Sequence, residues 1–224
     1  MNAELEFDLE SKLLAVLEGG VRSHSGNPFA KDGTELIVVR ESAIGSTIPD
    51  LIVIRKLMLG AVGKRVKLTA FQSWVLGELL RTGELSEVVL SRRLFSRVES
   101  TRAALQKLER VGVVRRTENG TYLVTADLCS TFEIVSVEAK LTRWRSAIEQ
   151  AKSYLRFSDE TFIALPASVI IRNHQIEGRC REEGVGLIAV TALEVRAVLQ
   201  SRRKVQPDRS AWTWALAKSG ALTV

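Results

Sequence analysis

Glu138 and Lys140 are charged residues at the end of an otherwise largely apolar stretch, residues 131–140 (TFEIVSVEAK). The alternation in this stretch is typical of a β-strand, where residues two apart project from the same face. We therefore expect the carboxylate and the ammonium group side by side. A charged pair on an apolar strand costs free energy unless it meets a metal, a substrate or its own partner. The pair is predicted to belong to a functional site.

Asp50 is the third candidate, because Pro49-Asp50 opens another apolar stretch, LIVI. Two carboxylates at a sheet edge form a hard oxygen site suited to Mg²⁺, for which Mn²⁺ can substitute. A lysine beside them can orient or deprotonate a water and hold a phosphate. This is the chemistry of metal-dependent phosphodiester hydrolysis. Asp50 alone would be interpreted as a turn or capping residue, and Glu-x-Lys also occurs at Glu10-Ser11-Lys12, so the prediction depends on the combination.

At these residues the sequence resembles the PD-(D/E)xK phosphodiesterase superfamily, the restriction-endonuclease-like nucleases. The resemblance covers residues 1–60 and 127–200. It implies an α/β fold with a mixed sheet flanked by helices, and Mg²⁺-dependent cleavage of DNA. It also implies that Asp50 and Glu138 bind the metal while Lys140 acts on the attacking water.

Four further residues extend the candidate site. In some relatives a glutamate of the first helix completes the metal shell; Glu10 and Glu41 are the candidates for that role, and no spacing decides between them. Gln150 and Tyr154 lie four apart on a predicted helix and share a face. They resemble an accessory motif of the RecB-type branch, which is thought to touch substrate near the metal. A glutamine and a half-buried tyrosine on an amphipathic helix are also common in purely structural roles.

The elements that must position these residues alternate between strand and helix. Strands are predicted at residues 35–41, 50–55, 131–140, 161–165 and 185–190. Helices are predicted at residues 4–17, 141–157 and 167–183, the first of them ended by Gly19-Gly20. This pattern predicts a mixed sheet of about five strands covered by helices. Nothing is assigned beyond residue 190, except that Trp212 and Trp214 are expected to cover the core.

The middle segment, residues 61–126, is basic. It holds twelve Lys or Arg against six Glu, whereas the rest of the chain holds twenty of each sign. Helices are predicted at 68–80, 85–95 and 98–111, followed by a hairpin across Asn119-Gly120. This distribution is typical of a nucleic-acid-binding insert in a neutral body, and an ordinary solvated surface is the alternative.

Three helices followed by a hairpin resemble a winged helix-turn-helix. The resemblance implies that its third helix enters the major groove and its hairpin touches the backbone. Arg102 and Gln106 would then contact the groove, with Lys107 also facing outward. Phosphate contacts are implied for Arg97, Arg115 and Arg116. Winged helices also serve as protein-docking modules.

The spacing of the site supports an insertion. Between Asp50 and Glu138 lie 87 residues, and removing the 66 of the middle segment leaves 21, the separation expected for adjacent strands. The predicted domains are therefore a discontinuous nuclease-like core, residues 1–60 and 127–224, and a winged-helix insertion, residues 61–126.

Composition narrows the class of protein. The 224 residues are 46% hydrophobic and 26% charged, as in a soluble globular protein, and no apolar run reaches the roughly 20 residues of a membrane span. The acidic N-terminus is unlike a secretory signal, so a cytoplasmic location is predicted. Cys129 and Cys180 are expected to be buried thiols, and two histidines, His24 and His174, make a histidine-ligated zinc site a poor interpretation.

Three functions stay open at this point. The first is a Mg²⁺-dependent DNA endonuclease whose winged helix supplies affinity for DNA; a homodimer is compatible with it. The second is a DNA-binding or regulatory protein whose nuclease-like core has lost activity. The retained Asp50, Glu138 and Lys140 argue against that reading. The third is an RNA-directed or protein-docking module.

Overall fold

A six-stranded mixed sheet carries the fold. The computed structural model describes residues 7–23, 27–31, 33–57, 66–125, 128–203 and 207–222. The sheet strands are β1 (Thr34–Arg40), β2 (Leu51–Leu57), β5 (Phe132–Ala139), β6 (Glu160–Pro166), β7 (Gly186–Val190) and β8 (Val195–Leu199). Their spatial order is β1-β2-β5-β6-β7-β8. The prediction of an α/β fold with a mixed sheet is confirmed.

The direction of the strands follows from their connections. β1, β2 and β5 are antiparallel neighbours, whereas β5, β6 and β7 run parallel. Parallel neighbours need a crossover, normally helical, which is supplied by α6 (Trp144–Tyr154) and by the pair α7 (Ala167–Arg172) and α8 (Gln175–Glu183). β8 returns antiparallel to β7 at the edge. β5 is thus central, with antiparallel strands on one side and parallel strands on the other.

The two faces of β5 pack against different helices, as the alternation predicts. Val135 and Val137 face a core formed with α1 (Glu10–Arg22). Ile134 faces the opposite core, which includes Tyr154 of α6. Glu138 and Ile134 therefore lie on the same face of the sheet, the face covered by α6.

Two of the predicted helices were wrong in extent. α1 continues through Gly19-Gly20 to Arg22, because Gly20 is the point of close approach to β8: a Cβ there would overlap the side chain of Val195. The predicted helix 167–183 is two helices interrupted at Asn173 and His174. The predicted start of the first helix, residues 4–6, and His24 lie outside the described residues.

The middle segment folds in the predicted order. Its elements are α2 (Ala70–Thr82), α3 (Glu87–Arg93), α4 (Val98–Arg110), β3 (Val114–Arg116) and β4 (Tyr122–Val124). Thr69 begins α2 with a capping box, in which its side chain accepts from the Gln72 N–H and the Gln72 side chain accepts from the Thr69 N–H. Gly120 closes the hairpin with a left-handed φ of 77°. The short helix α5 (Leu128–Thr131) then leads into β5.

The apolar core of the middle segment is continuous with that of the sheet. The link is α9 (Arg209–Lys218), a helix that sequence reasoning missed. Its Trp212 is fully buried in the cluster that also contains Leu76 of α2 and Ile54 of β2. The Thr213 hydroxyl donates to the Ser73 carbonyl at 2.7 Å. The middle segment therefore completes its core with residues that come much later in the chain.

Gly77 is where α2 and α9 approach most closely. A Cβ there would overlap the backbone of Ser210. We expect Gly77→Ala to lower the free energy of unfolding by about 1–3 kcal/mol, because the helices must separate. Gly19→Ala is the matched control: Gly19 is also helical, its Cβ would have open space, and the change should stabilise by about 0.5–1 kcal/mol. Urea unfolding measures both, and a Gly77→Ala protein as stable as the wild type would contradict the close packing.

Among the described residues, no helix is both long and apolar enough to cross a membrane. Cys180 is buried and not in a disulfide, as expected, and burial raises the pKa of its thiol to about 12. The side chain of Cys129 lies outside the described part of the structure.

Candidate active site

Asp50, Glu138 and Lys140 converge where β2 begins and β5 ends. β2 and β5 are antiparallel with Leu51 opposite Val137, so Asp50 falls opposite Glu138 across the ladder. Lys140 follows β5 directly, and its N–H continues the parallel ladder by donating to the Ala164 carbonyl at 3.1 Å. Strand register alone therefore brings together residues that the middle segment separates in the sequence.

The ammonium group of Lys140 lies among three carboxylates. Its Nζ is 2.8 Å from Glu138 Oε1, 3.7 Å from Asp50 Oδ2 and 3.6 Å from Glu10 Oε2. Glu138 is only 2% exposed, whereas Glu10 on α1 is exposed. The structure thus brings the predicted residues Asp50, Glu138 and Lys140 together. Glu10 reaches the same ammonium group from α1.

Hydrogen bonds fix the half-buried carboxylate of Asp50 and the buried carboxylate of Glu138. Asp50 Oδ2 accepts from the Ala139 N–H at 2.8 Å, so the end of β5 orients the aspartate. Glu138 Oε2 accepts from the Tyr154 hydroxyl at 2.6 Å, while its other oxygen faces Lys140. Each carboxylate therefore keeps one oxygen in a fixed hydrogen bond, which is the preorganisation that a catalytic site requires.

Burial and like charge raise the proton affinity of the acids. Burial raises the pKa of Glu138, against the hydrogen bonds from Lys140 and Tyr154, and the negative charge of Asp50 adds to the rise. Burial likewise raises the pKa of Asp50, against the Ala139 N–H and Lys140, and the negative charges of Glu10 and Glu41 add to the rise. Such crowding of desolvated carboxylates disfavours their joint ionisation and favours a bound cation.

Lys140 and Tyr154 both hold their protons more firmly than usual. Burial lowers the pKa of Lys140, whereas the hydrogen bond to Glu138 and the negative charges of Asp50, Glu138 and Glu10 raise it. The net change is an increase. Burial and the bond to Glu138 raise the pKa of the Tyr154 hydroxyl. At neutral pH both groups are therefore donors toward the carboxylates.

Glu41 and Gln150 lie beside this group without contacting Lys140. Glu41 follows β1 with a left-handed φ of 45°, and its N–H donates to the Asp50 carbonyl at 3.3 Å. Gln150 lies one helical turn before Tyr154 and is exposed. Within the described residues, Gln150 makes no side-chain hydrogen bond to the site, so of the predicted accessory pair only Tyr154 contacts it directly.

The donor set suits a magnesium ion. Mg²⁺ is usually bound through one or two carboxylates and keeps several of its waters, and Asp50 and Glu138 supply two. In the part of the chain that the structure describes, no three acidic, histidine or cysteine side chains are grouped to hold a metal. The positive charge between the carboxylates is that of Lys140, which a bound cation would have to share or displace.

The candidate DNA-contacting residues lie on α4 and β3, away from the carboxylates in the chain. Side chains that are exposed include those of Arg97, Gln106, Lys107, Arg115 and Arg116. Arg102 is also exposed, but it pairs with Glu87 of α3 through two hydrogen bonds of 2.7 and 3.1 Å. Sequence reasoning missed this pair, because the fold of α3 onto α4 creates it.

A buried ion cluster at the opposite end of β2 also escaped prediction. Arg55 is almost fully buried and pairs with Glu133 at 3.0 Å and Glu160 at 2.5 Å. Glu133 is further paired with Lys31 and Arg203. The signal for this cluster in the sequence was an arginine, Arg55, inside the apolar run LIVIRKL. The balance of charges indicates that this cluster stabilises the sheet rather than forming a second acidic site.

No protein-family model matches this chain, and no curated protein matches it. A solved structure that resembles it in part is the SPO1766 protein of unknown function from Silicibacter pomeroyi. That resemblance covers 51% of this chain and 77% of the other, with 18% sequence identity and a TM-score of 0.27. The site is therefore interpreted from the geometry of this chain alone.

Tyr154→Phe tests the hydrogen bond that positions Glu138. Removing the hydroxyl leaves a buried carboxylate oxygen without its donor, so we expect a loss of about 1.5–3 kcal/mol in the free energy of unfolding at neutral pH. Protonation of Glu138 relieves this, so the difference from wild type should shrink as the pH falls. Urea unfolding at several pH values measures it. Equal stability of the two proteins at neutral pH would show that the bond contributes nothing.

Proposed function

We propose that the protein is a metal-dependent phosphodiesterase that cleaves DNA, built on a restriction-endonuclease-like core with a winged-helix insertion. The observation that supports this most strongly is the convergence of Asp50, Glu138 and Lys140 at the junction of two adjacent strands. Partly buried carboxylates with raised pKa values that gather around one lysine are typical of functional sites.

In this proposal each residue has a separate task. Asp50 and Glu138 would hold Mg²⁺, which when bound would supply a water of lowered pKa and neutralise charge on the phosphate. Glu10 lies 3.6 Å from Lys140 Nζ and adds negative charge on the exposed side. Lys140 orients the water or the phosphate, because its Nζ lies 2.8 Å from Glu138, one of the two proposed metal ligands. Tyr154 keeps Glu138 in place through its hydroxyl.

The basic middle segment supplies affinity for DNA. Its exposed Arg97, Arg115 and Arg116 lie at the start of α4 and on the hairpin, where phosphate contacts of a winged helix are made. Gln106 and Lys107 remain available on the exposed face of α4. Arg102 would have to exchange Glu87 for DNA, so it is a weaker candidate for direct contact.

The test is cleavage of labelled duplex and single-stranded DNA by the purified chain with Mg²⁺, with Mn²⁺ or with EDTA. We expect products with either metal and none with the chelator. Asp50→Asn protein purified in parallel controls for contaminating nucleases. Cleavage that persists in EDTA, or equally in the Asp50→Asn sample, would overturn the proposal.

A second candidate is a DNA-binding or regulatory protein that keeps the nuclease-like fold without activity. The direct ion pair of Lys140 with Glu138 favours it, because the lysine already neutralises the acid that would bind metal. Thermal unfolding with and without millimolar Mg²⁺ separates the two candidates. A melting temperature raised by Mg²⁺ in wild type but not in Glu138→Gln supports the nuclease, and an unchanged one supports the second candidate.

A further inference from the structure

A groove beside the candidate active site carries two tryptophans and two cations. It has a volume of about 390 Å³ and is lined by the loop 43–47 and by side chains from α2, from α9 and from the C-terminal end of α6. We propose that this groove is a base-stacking subsite for unpaired nucleotides of single-stranded DNA. The proposal rests on the proposed function and adds to it the class of substrate.

Trp74 and Trp214 provide the stacking surfaces. Trp74 on α2 is 48% exposed, which is unusual for so large an apolar side chain, and Trp214 on α9 is partly buried. Their neighbours Ser73 and Thr213 are joined by the 2.7 Å hydrogen bond between the two helices. This bond places both indoles on the same groove, and the tight packing of α2 on α9 holds them there.

Arg156 and Lys218 give the groove its affinity for phosphate. Lys218 Nζ lies 5.3 Å from the centroid of the Trp214 ring, and Arg156 is among the most exposed side chains of the lining. Asp208 is the one acid among the described lining residues; its carboxylate caps α9 and is 3.5 Å from the Arg156 Nε. The lining therefore keeps a net charge of +1, and the exposed Lys218 lies over the Trp214 ring.

The groove shares its walls with the carboxylate site. The loop 43–47 continues through Ile48, whose carbonyl lies 3.3 Å from the Tyr154 hydroxyl, to Asp50. On the opposite wall, Ser153 and Phe157 flank Tyr154, which holds Glu138. A single strand of DNA bound in the groove would therefore lie next to the loop and the helix that also form the carboxylate site.

These features match single-stranded DNA better than a duplex. Proteins that bind single strands combine a positively charged groove with aromatic side chains on which the bases stack, each stacked base contributing about 1–3 kcal/mol. A paired base cannot offer its face to an indole. A peptide could also use an apolar groove, but it gives no reason for an exposed lysine over the Trp214 ring in a groove of net positive charge.

Binding of the oligonucleotide dT8 in EDTA tests the proposal separately from cleavage. We expect the full chain to bind dT8 with quenching of its tryptophan fluorescence, and Trp74→Ala to bind about 5- to 150-fold more weakly, the fold-change that loss of one stacked base implies. Trp74→Phe should recover most of the affinity because it keeps a ring. Ile171→Ala, at an exposed apolar residue outside the groove, is the matched control and should bind as wild type does.

Two further arms identify the ligand. An abasic oligonucleotide of eight nucleotides should bind wild type at least as weakly as dT8 binds Trp74→Ala, because it can stack on neither tryptophan. Arg156→Gln should reduce the slope of the salt dependence of dT8 binding by about 0.7. Equal binding of dT8 and the abasic strand, unchanged affinity in Trp74→Ala, or tighter binding of rU8 or of an apolar peptide than of dT8 would each overturn the proposal. Normal dT8 binding without any metal-dependent cleavage would instead refute the proposed function and leave the groove assignment intact.

Discussion

Glu138→Gln protein is expected to lose DNA cleavage by at least about 10³-fold. Metal coordination supplies several kcal/mol of charge stabilisation in the transition state, and each 1.36 kcal/mol corresponds to a factor of ten. The substitution keeps the size of the side chain and an oxygen for the Tyr154 hydroxyl, while it removes the charge that faces Lys140. DNA affinity, measured in EDTA, should stay at the wild-type level, because the middle segment is unaltered. Asp50→Asn should behave in the same way.

Glu149→Gln is the matched control for that loss. Glu149 lies on α6, is exposed and pairs with Lys152 at the surface, outside the carboxylate site. Its removal should leave the cleavage rate unchanged. Full activity in both Glu138→Gln and Asp50→Asn would eliminate the metal site and with it the proposed function.

Lys140→Ala is expected to lower the cleavage rate by about 10²–10⁴-fold, the range for a group that acts on the attacking water or the phosphate. The structure adds a second expectation, because Lys140 compensates Glu138, Asp50 and Glu10 together. Without the ammonium the metal-free protein should melt earlier, and Mg²⁺ should restore the melting temperature. The rate should stay low even when Mg²⁺ has restored stability, since the metal cannot take over the role of the lysine.

The same measurements separate catalysis from simple charge compensation. Lys152→Ala is the control, since Lys152 pairs with Glu149 and Glu183 outside the site, and it should lose neither rate nor metal response. If Lys140→Ala melts early without metal yet cleaves at nearly the wild-type rate with it, Lys140 is a structural counter-ion only.

The site residues could be found in the sequence because a strand has a period of two. Glu138 and Lys140 stand out against Val135 and Val137, and a charge in an apolar strand has few structural explanations. Asp50 followed from the apolar strand that it opens. What the sequence could not provide was the register of β2 on β5, which places Asp50 opposite Glu138, since register depends on partners far apart in the chain.

The missed elements lacked a local signal. α9 is buried at Thr213 and Ala217 as well as along the face of Trp212, Ala215 and Leu216, so its buried surface covers about half of the helix and shows no narrow apolar stripe. Gly19-Gly20 was interpreted as a helix end because glycine usually ends helices. Gly20 instead provides room for β8, and only the packed structure reveals such a requirement.

The bond between Ser73 and Thr213 joins residues 140 positions apart in the chain. During synthesis at roughly 5–20 residues per second, α2 emerges about 7 to 28 seconds before the helix that covers it. For that interval the part of α2 that packs on α9, at Ser73 and Gly77, lacks its native partner and is open to chaperones or to premature association. The protein therefore completes its fold only when α9, its last described helix, packs on the middle segment. We expect a chain that ends before α9 to behave as an incompletely folded protein.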